Sequence, residues 1–255
     1  KDVLNNFEKL IENRSSRKPV AYLTNKKYFW NSEFYVTENT LIPRPDTELI
    51  IENVLNLTKY KNNLTILDVG IGSGCILLSI LKEKQNFYGT GIDINKSCLN
   101  ISKINAINLN IVSRLKLFKS NIDKFNLGKY DLIVSNPPYI NNYKIKYLDS
   151  DVAKFEPKTA LDGGLDGLSE IRKVIKKASE LIKKNGKLVL EIGYDQKNKL
   201  KYLERDVAEF EPKLALDGGI DGLSEIRKVI KKSSELIKKK GRFILEIGFD
   251  QKNKV

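Results

Sequence analysis

Histidine and methionine are both absent from the 255 residues, and cysteine occurs twice. Without histidine there can be no Ser-His-Asp or Cys-His nucleophile pair, and no histidine-ligated metal. Cys75 and Cys98 form no CxxC spacing, which argues against a disulfide framework or a thiolate metal site and for a reducing cytoplasm. With no methionine the native initiator is missing, so the chain is expected to begin inside something longer. Long apolar runs are lacking too. ILLSIL at 76–81 is far shorter than the roughly 20 residues of a membrane helix, and no signal-peptide pattern opens the chain. No membrane partner is expected. Acidic residues are outnumbered 32 to 45, giving a net charge of +13. Such an excess can serve RNA or a ribosomal surface. Here the lysines spread over helix faces such as RKVIKKASELIKK, and no basic cluster is interleaved with stacking aromatics, so a solvated surface is favoured over nucleic acid.

A hydrophobic fraction of 41% beside 30% charged residues suits one substantial core, or a core domain with a small appendage. Leu4, Phe7, Leu10 and Ile11 recur at helical spacing and predict a short N-terminal helix. VAYLT, KKYFW and EFYV, broken by Asn31 and Ser32, predict a β-hairpin between residues 20 and 36. IPRPD then forces an extended turn, and Asp46 and Glu48 suit the start of a helix over LIIENVL.

From residue 64 strands alternate with helices: TILDV, then CILLSILKE, FYGTGID, NKSCLNISKINAIN, LKLF, YDLIVS, the helix SEIRKVIKKASELIKK, and the strand KLVLEIG. This is the pattern of an α/β fold, a doubly wound and mostly parallel sheet with helices on both faces. Ligands in such sheets bind beyond the carboxyl ends of the strands. Polar and glycine-rich residues gather at those ends.

The first candidate site is DVGIGSG at 68–74. Asp68 ends a strand, and Gly70, Gly72 and Gly74, with Ile71 and Ser73 between them, let the backbone turn tightly and approach a ligand ahead of a helix N-terminus. Asp93, at the end of the next strand, is placed to accept both hydroxyls of a ribose. The spacing is GxGxG with Cys75 following, which disfavours a nicotinamide dinucleotide and leaves another nucleoside-bearing cofactor. A ligand-free strand-to-helix turn has the same glycines, and Asp93 is what tips the balance.

The second candidate site is SNPPYI at 135–140. Pro137 and Pro138 stiffen the backbone after a strand and hold the residue before each extended. The prong offers the Asn136 side-chain carbonyl and the Pro137 backbone carbonyl as two fixed acceptors, with Tyr139 as a wall. Two acceptors suit a planar NH₂ group. Gripping both N–H bonds aims the nitrogen lone pair at an electrophile and favours its passage to tetrahedral geometry. The tyrosine face tolerates a nearby positive charge such as a sulfonium. No general base is required, because a methylated amide nitrogen is acidic enough to lose its proton to water.

Together GIGSG, Asp93, SNPPYI, LIPRPDTELI and FEPKTALDGGLDGL resemble the release-factor glutamine methyltransferases, the HemK/PrmC family of class I S-adenosylmethionine enzymes, over residues 1–199. The family methylates the side-chain amide of the glutamine in the GGQ motif of peptide-chain release factors, during translation termination. The resemblance implies S-adenosyl-L-methionine as cofactor and a Rossmann-like class I methyltransferase fold. It implies that residues 70–74 hold the methionine part of the cofactor and Asp93 its ribose. It also implies that Asn136, Pro137, Pro138 and Tyr139 grip the substrate glutamine, with Asn136, Pro137 and Tyr139 catalytic. Near the adenine the chain has Asn121 and Ile122 where family members usually carry Asp and a bulkier residue. Adenine-N6 and guanine-N2 nucleic-acid methylases also carry NPPY, and they are the enzymatic alternative. An inactive, truncated chain that binds only the cofactor is the other.

The sequence divides into residues 1–45, a remnant of a helical recognition domain plus the hairpin linker; 46–199, the methyltransferase domain; and 200–255, a near-copy of 145–199. Aligning 151–199 with 206–254, nine of the 49 positions differ. The copy stands where the family has closing strands, leaving the sheet edge beside KLVLEIG unpaired. The first copy is expected to occupy the sheet, because its loop is the shorter to close. A monomer is expected, with domain swapping open through the repeat.

Overall fold

The computed structural model describes residues 2–193 and 196. The second copy of the repeat therefore lies outside the described residues. Helix α1 (Asp2–Ser15) leaves Leu4, Phe7, Leu10 and Ile11 exposed. VAYLT, expected as part of the hairpin, instead forms the short helix α2 (Val20–Thr24). Its β-branched and aromatic residues favour a strand, but the Pro19 carbonyl accepts the N–H groups of Tyr22 and Leu23. The buried Tyr22 hydroxyl donates to the Thr40 carbonyl at 2.7 Å, so local pattern yields to one tertiary bond.

The hairpin is the antiparallel pair β1 (Lys26–Phe29) and β2 (Ser32–Tyr35). Phe29 and Phe34 meet edge to face at 6.1 Å. Both are buried in the same hydrophobic cluster as α3 (Glu48–Leu57) and α4 (Cys75–Glu83). A 3₁₀ turn, Pro45–Thr47, leads into α3, with Asp46 and Glu48 at the positive end of the helix.

The remaining elements are β3 (Thr65–Val69), β4 (Tyr88–Asp93), α5 (Lys96–Asn108), β5 (Leu115–Lys119), β6 (Tyr130–Ser135), α6 (Ser150–Phe155), α7 (Ser169–Leu181) and β7 (Ile182–Leu190). The five strands form one sheet in the order β5-β4-β3-β6-β7, with every neighbouring pair parallel. Alternation along each strand sends residues to opposite faces. Ile66, Leu132 and Val134 pack under α3, α4 and α5. Leu67, Val69 and Ile133 pack under α7 through Val174, Ala178 and Leu181. Each such side chain stabilises by roughly 1.5–3 kcal/mol when buried. A one-residue slip of register would turn a whole face of them outward, so the pairing is fixed.

β7 belongs to the first copy of the repeat and lies beside β6. Its helix was expected to run through Lys184 and stops at Leu181. Ile182 pairs with Tyr130, and the next pairing is Lys187 with Leu132, so residues 183–186 form a bulge with Asn185 at φ 70°. Lys183 reaches back to Asp131 at 2.8 Å.

Chain order places the switch point between β3 and β6: the chain runs from β3 outward through β4 and β5, then returns to β6 on the other side of β3. The loops after β3 and β6 diverge there and open a crevice. Those loops carry GIGSG and NPPYI. Among the described residues no helix is long and apolar enough to cross a membrane, and no group of acidic or cysteine side chains could hold a metal.

Candidate active site

A cavity of about 410 Å³ opens at this switch point, within the range of small-ligand sites. One wall is the loop after β3. Gly70 and Gly72 adopt φ of +76° and +56°, where a side chain is strained. A Cβ on Gly70 would meet nothing within 4 Å, and one on Gly72 only the Gly70 carbonyl at 3.9 Å. The space beside both glycines is thus open to a ligand. Ile71 and Ser73 also line the cavity, although the Ile71 side chain is buried against Gly91.

The loop is held from behind by two residues of α5 that sequence reasoning missed. The Ser102 hydroxyl donates to the Gly72 carbonyl at 2.8 Å. The buried Asn105 amide donates to the Ser73 carbonyl at 2.8 Å and to the Tyr35 carbonyl at 2.9 Å, and its oxygen accepts the Tyr35 N–H at 2.7 Å. One side chain therefore joins the glycine loop to the hairpin.

Asp93 ends β4 on the cavity wall. Its carboxylate accepts the N–H of Gly72 at 3.0 Å and of Asn95 at 2.8 Å, one on each oxygen. The carboxylate has about four acceptor positions in all, and the Cys98 thiol and the Ile94 N–H also approach it. Burial raises its pKa, against the pull of those backbone bonds. Asn121 and Ile122 close this end. The Asn121 oxygen caps a 3₁₀ turn by accepting the Asp123 N–H at 3.1 Å, and Ile122 is buried under α7 and β6.

Asp68 and Gly74 are not on the wall. Gly74 starts α4 with Leu78 against it. Asp68 lies fully buried beneath the glycine loop, and neither carboxylate oxygen has a hydrogen-bond partner of good geometry. Burial pushes its pKa from 3.8 up to about 7; the Leu77 N–H pulls the other way and the Asp93 charge adds to the rise. An orphaned carboxylate behind an open glycine cradle, with Asp93 beyond it, fits a cofactor that joins a cationic amino-acid end to a ribose.

Asn136, Pro137 and Pro138 form the facing wall. The Asn136 NH₂ donates to the Thr47 hydroxyl at 3.2 Å, which turns its oxygen away from Thr47 and leaves it as the acceptor on offer. Tyr139 departs from expectation. Its ring does not line the cavity but packs with Leu168 and Ile171, and its hydroxyl points to Glu191 at 3.4 Å. Burial and the Glu191 charge push that phenol up to about 12.

The prong is braced by the FEPKTALDGGLDGL segment. Ile140 donates to the Leu161 carbonyl at 3.0 Å and accepts from Gly163 at 2.8 Å. Buried Gln196 donates to the carbonyls of Tyr139 at 2.7 Å and Gly167 at 2.8 Å. A Cβ on Gly167 would lie 2.5 Å from Gln196, Asn141 and the Tyr139 carbonyl alike, so only glycine fits. At the cavity mouth Arg44 pairs with Glu156 at 2.5 Å, whose side chain is 1% exposed. Burial raises the Glu156 pKa despite this partner.

Residues 45–152 match the model of the Methyltransferase small domain. The Bifunctional methyltransferase of Rickettsia typhi is 38% identical over 213 residues, covering 76% of this chain and 41% of that protein. The chain thus spans about two fifths of that relative. The Release factor glutamine methyltransferase of Buchnera aphidicola subsp. Schizaphis graminum is 41% identical over 199 residues, 78% of this chain and 70% of that protein. The enzyme of the same name from Caulobacter vibrioides is 36% identical over 208 residues, 81% and 72% of the two chains. With a five-stranded parallel sheet, an open glycine cradle and these relatives, the chain belongs to the release factor glutamine methyltransferase family of S-adenosylmethionine-dependent enzymes.

Proposed function

We propose that this chain methylates the side-chain amide nitrogen of a protein glutamine, that of the GGQ motif in peptide-chain release factors. The observation that carries the reading is the Asn136 carboxamide, anchored by its NH₂ on Thr47 and facing the Gly70, Gly72 and Asp93 wall across one cavity. Gly70 and Gly72 with Asp68 behind them would hold the methionine part of S-adenosylmethionine, Asp93 the ribose, and Asn121 and Ile122 the adenine end. When bound, the cofactor supplies an electrophilic methyl group on a positively charged sulfur.

The residues of the chain orient the other reactant. The Asn136 oxygen and the Pro137 carbonyl accept the two N–H bonds of the glutamine amide, which points the nitrogen lone pair out of the amide plane and across the cavity. Both acceptors become better partners as the nitrogen gains positive character, so they favour the transition state over the ground state. Pro137 and Pro138 keep this grip stiff, and Tyr139 supports it from behind through Gln196 and Glu191. The proton then leaves to water, in keeping with a chain that has no histidine. Two free thiols suit a reducing compartment, so the cytoplasm is the expected location.

Incubation with methyl-labelled cofactor and a purified release factor, beside an equal amount of structured RNA, tests the reading. Label is expected on the glutamine. Asn136→Ala should lower transfer by roughly a hundredfold or more, as loss of one preorganised polar group does, while cofactor affinity is retained. Label on RNA amino groups instead, or equal loss of binding and transfer in the variant, would overturn it.

A further inference from the structure

Glu191 follows β7 directly, and the mechanism above uses it only as the contact of the Tyr139 hydroxyl. Its N–H donates to the Ser135 carbonyl at 3.0 Å, which ties it to the residue before Asn136. One carboxylate oxygen faces the Tyr139 hydroxyl at 3.4 Å. The other is enclosed without a hydrogen-bond partner of good geometry. Thr47, Asn136 and Tyr139 are the polar groups that approach it, and Thr47 is itself 3% exposed. An enclosed carboxylate oxygen without a partner is costly, so its place among these three groups calls for a reason beyond packing.

The polarity of the chain of contacts supplies one. A carboxylate only accepts, and a threonine hydroxyl has a single proton. Beside ionised Glu191 the Thr47 proton turns toward the carboxylate, and its lone pair is left for the Asn136 NH₂, which lies 3.2 Å away. A carboxamide with its NH₂ so fixed must present its oxygen on the opposite side. We propose that Glu191 is a positioning residue for amide transfer: its carboxylate, approached by the Thr47 hydroxyl and by the Asn136 NH₂ itself, holds Asn136 with the oxygen toward the cavity. The inference rests on the function proposed above.

Protonation reverses the arrangement. Neutral Glu191 can donate to Thr47, whose proton is then free to face Asn136 and turn the amide over. The titratable groups around Glu191 are Asp46, Tyr139 and Cys75, with Arg44 facing Tyr139 from the cavity mouth. Burial, then Asp46, raise the Glu191 pKa above the usual 4.5, against the three hydrogen-bonding neighbours. The active orientation is therefore lost as pH falls through a carboxyl pKa above that value.

Four variants of the full chain test this with labelled cofactor and release factor: Glu191→Gln, Glu191→Ala, Thr47→Val and Thr47→Ser. The first three should lower kcat by roughly tenfold to a hundredfold, the scale of a misplaced reacting group, with cofactor Kd unchanged. Thr47→Ser, which keeps the hydroxyl, should recover most of the rate that Thr47→Val loses. The acid limb of the wild-type kcat profile should vanish in Glu191→Gln. In NMR spectra the side-chain amide signals of Asn136, assigned by their loss in Asn136→Asp, should move in Thr47→Val and Glu191→Gln and stay put in Thr47→Ser. An unmoved amide signal overturns the inference whatever the activity, as does an acid limb that survives in Glu191→Gln. Loss of cofactor binding in step with kcat also overturns it, since that pattern marks a packing role. A wild-type chain inactive on release factors overturns the proposed substrate instead, and the amide signals then decide the inference alone.

Discussion

Asp68 offers the sharpest thermodynamic test. Replacing it with Asn keeps its size and removes its charge. The carboxyl is fully buried with both oxygens unpartnered, and its pKa rises from 3.8 to about 7. A carboxyl that binds its proton more tightly in the folded chain than in the unfolded one makes its contribution below the unfolded pKa. That contribution is lost as pH rises through the folded pKa. The interval from 3.8 to about 7 bounds the loss at roughly 4 kcal/mol. Asn behaves like the protonated form and escapes it. Asp68→Asn should therefore be more stable than wild type by up to roughly 4 kcal/mol near pH 8.5, and by less than half of that near pH 5. Urea denaturation of both proteins at the two pH values measures the difference, with equal slopes confirming that the same surface is exposed. On the function proposed above, the cofactor should bind the variant more weakly, since the charge behind the glycine loop is gone. A variant no more stable than wild type at the higher pH would refute the argument. It would mean that water or a backbone donor already satisfies the carboxylate.

Asp93→Asn should weaken cofactor binding by roughly 2–4 kcal/mol, because one oxygen that accepts a backbone N–H becomes a donor and an acceptor proposed for the ribose is lost with it. Calorimetric titration of cofactor and its 2′-deoxy analogue checks this, and an equal loss for both ligands would place the effect in the Gly72 contact alone. Arg44→Ala should destabilise by roughly 1–3 kcal/mol, since it strands the buried Glu156 carboxylate while Arg44 itself is partly solvated. Arg44→Ala with Glu156→Gln should recover much of that in thermal melts, and a double variant as unstable as the single one would contradict the pairing.

Much of the sheet was legible because its strands are short apolar runs punctuated by glycine and Asp, and their two-residue alternation survives any tertiary context. Two local readings failed for identifiable reasons. VAYLT reads as a strand, yet Pro19 and the Tyr22 hydroxyl hold it helical. The amphipathic pattern of α7 continues through Lys184, but Ile182 is claimed by the pairing with Tyr130. The Asn-Gly pair at 185–186 was the available signal, a turn dipeptide inside an otherwise helical run. In the site, Tyr139 was read as a cavity wall from its place after two prolines. It packs behind the prong because Leu168 and Ile171, brought there by the DGG loop, offer it an apolar bed.

The sequence by itself determined the parts whose chemistry is local. A glycine loop must follow a strand to turn at positive φ, a carboxylate must stand at the next strand end, and two prolines must stiffen an asparagine. The tertiary structure alone decided what holds these parts in register. Asn105 reaches the hairpin across 70 residues, Arg44 meets Glu156 across 112, and Gln196 meets the Tyr139 carbonyl across 57. Each is a polar group buried by the fold and then obliged to find a partner. That obligation arises only once water has been removed, and no local pattern records it.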